Sequence, residues 1–168
     1  GLGRRDQARQ LLLEVQNQSL SPVDRLKVAI MEADTMEEQK QRSKAADHLL
    51  QALDEAGEVG PAVRIPALQK LISIWPDNRE TQGLVPYIDE LLGTARKLKE
   101  PRRTMALVSA SVRLWQAGRR VQALRAWSTI DEERLRRECP PMLAEKVLGV
   151  VEKARTKLDT STATTVAH

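Results

Sequence analysis

The run Gly-Arg-Arg-x-Gln-Ala occurs twice in this sequence, as Gly118-Arg119-Arg120-Val121-Gln122-Ala123 and as Gly3-Arg4-Arg5-Asp6-Gln7-Ala8. In each copy a large apolar residue follows four positions after the alanine (Trp127, Leu12), and another three further on (Ile130, Val15). The glycine can turn the chain, the small residue lets a second helix come close, and the bulky ones at helical spacing fill the groove beyond. A unit of this kind cannot bury its own apolar face. Its recurrence therefore constrains the chain to helices stacked on their neighbours in sequence.

Composition agrees with that constraint. At 168 residues the chain is long enough to bury a sizeable core. Aromatic residues make up 2% and phenylalanine is absent, so the core must come from Leu, Val, Ile, Ala and Met, a set suited to helix packing. The same scarcity weakens any base-stacking platform for nucleic acid. A net charge of +4 favours an acidic partner without requiring one. Cys139 is the only cysteine, which excludes an internal disulfide and leaves the compartment open. No apolar run approaches the roughly 18 residues of a membrane span, and no basic segment followed by an apolar one opens the chain.

Helical periodicity is legible along most of the sequence. Ala8, Leu11, Leu12 and Val15 form one face of a first helix over residues 4–17. Ser21 and Pro22 read as the N-cap and first position of a second, carrying Val23, Leu26, Ile30 and Ala33; Asp34 or Thr35 then reads as the cap of the next. That third helix, over residues 36–56, is stopped by Gly57 and Gly60-Pro61. Leu68, Leu71, Ile72 and Trp75 mark a fourth, with Pro66 in its first turns, before Trp75-Pro76-Asp77-Asn78 breaks the chain. A fifth is expected over residues 79–97, kinked or starting late near Val85 because Pro86 lies inside it. Leu107, Ser111, Leu114 and Trp115 belong to a sixth helix, and Ala123, Leu124, Trp127 and Ile130 to a seventh. Residues 131–138 read as a charged extension or a short helix, and Leu143, Val147, Val150, Val151, Ala154 and Leu158 mark the last. Residues 160–168, rich in Ser, Thr and Ala, read as an unstructured tail. No stretch alternates with a period of two, so the expected fold class is all-α with about eight helices.

The residues around Gly118 carry a family resemblance. Leu107, Ala110, Ser111 and Leu114 before the turn, and Ala123, Trp127 and Ile130 after it, resemble the tetratricopeptide repeat, whose first helix reads large, large, small, aromatic and whose second reads Ala, aromatic, Ala. Ile74-Trp75-Pro76-Asp77-Asn78-Arg79-Glu80 looks like the Pro-Asp-Asn junction between such repeats. Ile130 stands where that family has alanine, and the two features assign opposite pairings to the intervening helices, so the resemblance is to a divergent array with elongated helices. It implies a right-handed α-solenoid of antiparallel helix pairs over residues 1–159, a piece of a longer array. It also implies a concave face where family members hold a segment of another protein, and exposed ends through which copies can self-associate. The expected role is a protein–protein interaction scaffold within a larger assembly or export protein. A self-contained helical bundle acting as a secretion or assembly chaperone is the alternative, and an RNA-binding helical repeat a third.

Catalytic and cofactor-binding constellations are not legible, and the chain is read as a non-enzyme with no cofactor and no metal. His48 and His168 are the only histidines and neither stands in a ligand-spaced motif. Cys139, before two prolines and without a placed histidine, reads as a buried or neutral thiol rather than a nucleophile. Glu37-Glu38 and Asp131-Glu132-Glu133 read as charges complementing helix starts. The distinctive feature is an arginine band, Arg102, Arg103, Arg113, Arg119, Arg120 and Arg125, continued by Arg134, Arg136 and Arg137. Guanidinium groups suit bidentate carboxylate recognition, so the first six are the candidate contacts for an acidic segment of a partner protein. The competing account is a solvated face with i,i+4 pairs such as Glu133 and Arg137. Nucleic acid is disfavoured because the tryptophans lie on apolar stripes and not among the arginines. Asn17 and Asn78 are the only asparagines, too few for the carboxylate clamp of chaperone-binding tetratricopeptide domains. Trp75, Trp115 and Trp127 read as core residues before hot spots.

Overall fold

The computed structural model describes residues 2–16 and 20–166, with side chains over 3–13 and 20–159. Among these residues all repeating structure is helical: α1 (Leu2–Gln16), α2 (Pro22–Glu38), α3 (Arg42–Ala56), α4 (Pro61–Ile74), α5 (Val85–Arg96), α6 (Arg102–Gln116), α7 (Arg120–Ser128), α8 (Glu132–Glu138) and α9 (Pro141–Val166), with a 3-10 turn at Thr81–Gly83. The all-α class is therefore as the periodicity implied. The charged 131–138 stretch forms a helix of its own, capped by the Asp131 carboxylate on the Arg134 N–H at 3.0 Å. The chain divides into two compact units, Gly1–Val85 and Pro86–His168, where the sequence was read as one domain over residues 1–159.

In the first unit, α2 starts as its sequence dictates. Ser21 Oγ accepts the Asp24 N–H at 3.2 Å and Pro22 takes the first helical position, a cap that contributes about 1 kcal/mol. The helix then runs past Asp34 and Thr35, which were expected to cap the next one. Thr35 Oγ1 instead donates to the Met31 carbonyl at 3.2 Å, within the same helix, so the hydroxyl is satisfied without a break. α2 ends only at Glu38, and α3 starts at Arg42. α2, α3 and α4 pack on one another and bury Leu26, Ala33, Ala45, Leu49, Leu68 and Leu71. Each of these leucines is fully enclosed, and truncating one to alanine would cost about 2–5 kcal/mol. Pro66 lies inside α4, within the first turns where the sequence placed it. α5 begins at Val85, the late start that Pro86 implied.

The junction after α4 is held down by contacts of its own. Trp75 is buried, and a Cβ on Gly83 would come within 3.3 Å of its ring, which explains the glycine there. The Arg79 guanidinium lies 5.2 Å from the centre of that ring and reaches Ser43 Oγ and the Asp47 carboxylate on α3, both at 2.9 Å. Across α2 and α4, Lys70 pairs with Asp34 and with Glu37.

In the second unit, α6 and α7 pair around Gly118, and α9 packs on α6 and on α8. Val108 of α6 meets Val151 and Ala154 of α9, with Val112, Trp127 and Ile130 packed around them. Leu135, Cys139, Ala144, Val147 and Leu148 form a second cluster between α8 and α9. α9 continues to Val166, into the stretch read as an unstructured tail; Ala167 and His168 lie outside the described residues.

The α2–α3 and α6–α7 hairpins turn in the same way. At the first, the N–H groups of Gln39, Lys40 and Gln41 donate to the carbonyls of Thr35, Glu37 and Met36 at 3.1, 2.9 and 2.8 Å. At the second, those of Ala117, Gly118 and Arg119 donate to Arg113, Trp115 and Leu114 at 3.0, 3.0 and 2.8 Å. The central residue has positive φ in both, 60° at Lys40 and 77° at Gly118. The alanine five residues further on, Ala45 or Ala123, is fully buried. The structure thus contains one supersecondary unit twice, and one of its two turns was not marked by glycine.

Candidate partner-binding site

The arginine band does not survive as a single surface. Arg103 is 7% exposed and belongs to the interior of the second unit. Its Nε donates to the Arg96 carbonyl at 3.3 Å and its Nη1 lies 3.7 Å from the fully buried Glu100 carboxylate, which also accepts from Thr104 N and Oγ1 at 3.3 and 2.6 Å. A buried, paired guanidinium is fixed in place, so Arg103 is withdrawn from the candidate contacts. Arg113 and Arg119 are half-buried beside the hairpin turn. Arg102, Arg120 and Arg125 remain exposed.

Two of these three share α7 with apolar side chains that face solvent. Val121 is 78% exposed and Leu124 54%, and they lie beside Arg120 and Arg125 at helical spacing. Arg120 stacks 5.1 Å from the centre of the half-buried Trp115 ring, which orients its planar fork. Arg125 lies 3.7 Å from Asp89 with both side chains more than half exposed, so water screens the pair and a stronger carboxylate can displace it. Leu124 was expected among the inward residues of its helix with Ala123; the structure buries Ala123, turns Leu124 out and buries Ala126 in its place.

A cleft of about 420 Å³ lies on the α2–α3 hairpin. Val28, Ala29 and Ala52 line it along with Arg25, His48 and Gln51, giving an apolar lining broken by groups of both polarities. His48 Nε2 lies 2.5 Å from the Glu32 carboxylate, so the ring is held by a neighbour on α2. Ala52 was read as part of the apolar stripe of its helix, and Val28 was not singled out in the sequence. His168 and Asn17 lie outside the described residues, and Asn78 is exposed in the junction after α4.

Elsewhere the titratable groups serve the fold. Burial pushes the Cys139 thiol up, and the Glu100 and Glu138 carboxylates add to the effect, so the group stays protonated at neutral pH. The hydrogen bond that Arg155 donates to the Glu132 carboxylate raises the guanidinium, burial works against it, and the charge of Glu152 adds to the rise. Arg155 also lies 5.9 Å from the Trp127 ring centre, joining α8, α9 and α7. Among the described residues no group of three or more His, Cys, Asp or Glu side chains is placed to hold a metal ion. No helix among them is long and apolar enough to cross a membrane. No protein-family model, curated protein or solved structure matches the chain.

Proposed function

We propose that this chain is a protein–protein interaction module of stacked helical hairpins, and that it recognises an acidic segment of a partner protein. The observation that carries the reading is the recurrence of one hairpin, with the same turn and the same buried alanine, in α2–α3 and α6–α7. Repeated hairpins complete their cores on their neighbours and offer an extended surface to a partner. The second half of the reading rests on α7, where Arg120 and Arg125 flank Val121 and Leu124. A partner segment with Asp or Glu beside Leu or Val would satisfy both kinds of group, the carboxylates setting orientation and the apolar contacts supplying affinity.

On this reading the units continue as a right-handed array, and small-angle scattering gives a curved, elongated particle; a compact globule of the same mass overturns the array and favours the self-contained bundle. Recognition is tested by peptide display on the whole chain. Enriched sequences carry acidic residues beside Leu or Val, and the double variant Arg120→Glu/Arg125→Glu weakens them at least about tenfold. A selection without acidic enrichment, or one indifferent to these arginines, rejects the reading.

A further inference from the structure

The cleft on the α2–α3 hairpin carries charge at both ends of an apolar middle. At one end His48 Nε2 of α3 lies 2.5 Å from the Glu32 carboxylate of α2, which marks the register of the two antiparallel helices. Seven residues make two helical turns. Arg25, seven before Glu32, and Glu55, seven after His48, therefore stand on the same two faces about 10 Å further along. Both line the cleft, with Val28, Ala29 and Ala52 between the two levels. Unlike Glu32 and His48, this second pair is not joined. Among the described residues the Arg25 side chain makes no hydrogen bond or ion pair, and Glu55 accepts only from Gln51 Nε2 of its own helix, at 2.9 Å.

We infer that this cleft binds a free α-amino acid with a large apolar side chain. Opposite charges that face each other unjoined match a ligand bearing the complementary two on one carbon. The Arg25 guanidinium takes the carboxylate and Glu55 takes the ammonium. The ligand's side chain lies along Val28, Ala29 and Ala52, where the two alanines leave room, and the Glu32–His48 pair closes the far end. Size narrows the class. The cleft measures about 420 Å³. At about 30 Å³ for each water-sized group that space holds about fourteen non-hydrogen atoms, nearer to phenylalanine or tryptophan than to alanine. A simple fatty acid would set its carboxylate against Glu55, and an aliphatic amine would set its ammonium against Arg25, so a ligand with only one of the charges is disfavoured. All of these residues belong to the first unit and none to α7, so the site stands whether or not α7 binds an acidic segment.

The test is calorimetric titration of the whole chain with L-phenylalanine. Saturable binding with a dissociation constant below about 1 mM is expected, and L-alanine should bind at least about tenfold more weakly. N-acetyl-L-phenylalanine lacks the ammonium and L-phenylalaninamide lacks the carboxylate, and each should also lose at least about tenfold. The two losses should separate by variant: the first vanishes in Glu55→Gln and the second in Arg25→Met. Arg25 and Glu55 are exposed, so both variants keep the fold, which circular dichroism and an unchanged melting temperature verify. Ala52→Trp fills the cleft and should abolish binding, while Lys146→Met in the second unit should leave it unchanged. No saturation by L-phenylalanine, equal affinity for L-alanine or for the blocked ligands, or losses that persist in both variants overturns the proposal. So does binding that survives Ala52→Trp, which would place the ligand elsewhere.

Discussion

Lys40 and Gly118 hold the same position in two helical hairpins, and both adopt positive φ, 60° and 77°. Only glycine takes such a backbone without cost. For a residue with a Cβ the penalty is roughly 1–2 kcal/mol, so the first hairpin carries a strain that the second avoids. Lys40→Gly is expected to stabilise the protein by up to about 1 kcal/mol, and Gly118→Ala to destabilise it by about as much. A Cβ at Gly118 meets no atom within 4 Å, so that loss would be conformational and not steric. Urea unfolding of the two variants checks both signs.

The Glu100–Arg103 pair tests whether the second unit depends on a buried charge pair. Glu100 is wholly enclosed and Arg103 nearly so, and each is the nearest counter-charge of the other. Glu100→Ala leaves a buried guanidinium with only a backbone carbonyl, and a loss of about 3–5 kcal/mol is expected. Arg103→Met should be costly for the mirror reason. The double variant should lose clearly less than the two single losses combined, and a double-mutant cycle in urea would read that coupling. Additive losses would show that the two side chains matter only through packing.

The same two places show what was legible in the sequence. Gly118 punctuates its hairpin, and the small-then-large spacing after it gave the α6–α7 pairing together with the burial of Ala123. Lys40 carries no mark of positive φ, so the turn was sought at Asp34 or Thr35, whose side chains resemble caps but bond backwards within α2. Among the arginines, Arg102 and Arg103 are neighbours of identical type, and only the fold decides that one is solvated while the other meets Glu100. The α2–α3 cleft was hidden for a related reason. Ala52 has the spacing of a core residue and Val28 lies off the apolar stripe of its helix, and periodicity does not say which part of a helix surface its neighbour leaves as a cleft.

Cys139 should be chemically inert in the folded protein. It is buried at the junction of α8 and α9, and burial together with Glu100 and Glu138 holds the thiol above its ordinary value. Alkylation by iodoacetamide at pH 8 is expected to be slow in the native state and to reach the rate of a free thiol in denaturant, since the thiolate is the reactive form. Fast native alkylation would mean that the α8–α9 cluster opens readily.

Lys70 gives the protein an alkaline dependence of predictable sign. Burial pulls its ammonium down, but the hydrogen bonds it donates to Asp34 and Glu37 and their charges outweigh that, and its pKa stands above the ordinary 10.5. The folded state therefore holds this proton more tightly than the unfolded one. The contribution is fully present below pH 10.5 and is lost as pH rises from there through the elevated folded-state value. Lys70→Met should lower stability at pH 7, because Asp34 and Glu37 then face each other without a cation, and should flatten the part of the decline above pH 10.5. Cys139 titrates in the same alkaline direction, so the comparison is made in a Cys139→Ala background, where any remaining slope that Lys70→Met removes belongs to this lysine. A slope that survives the substitution would place the alkaline sensitivity elsewhere.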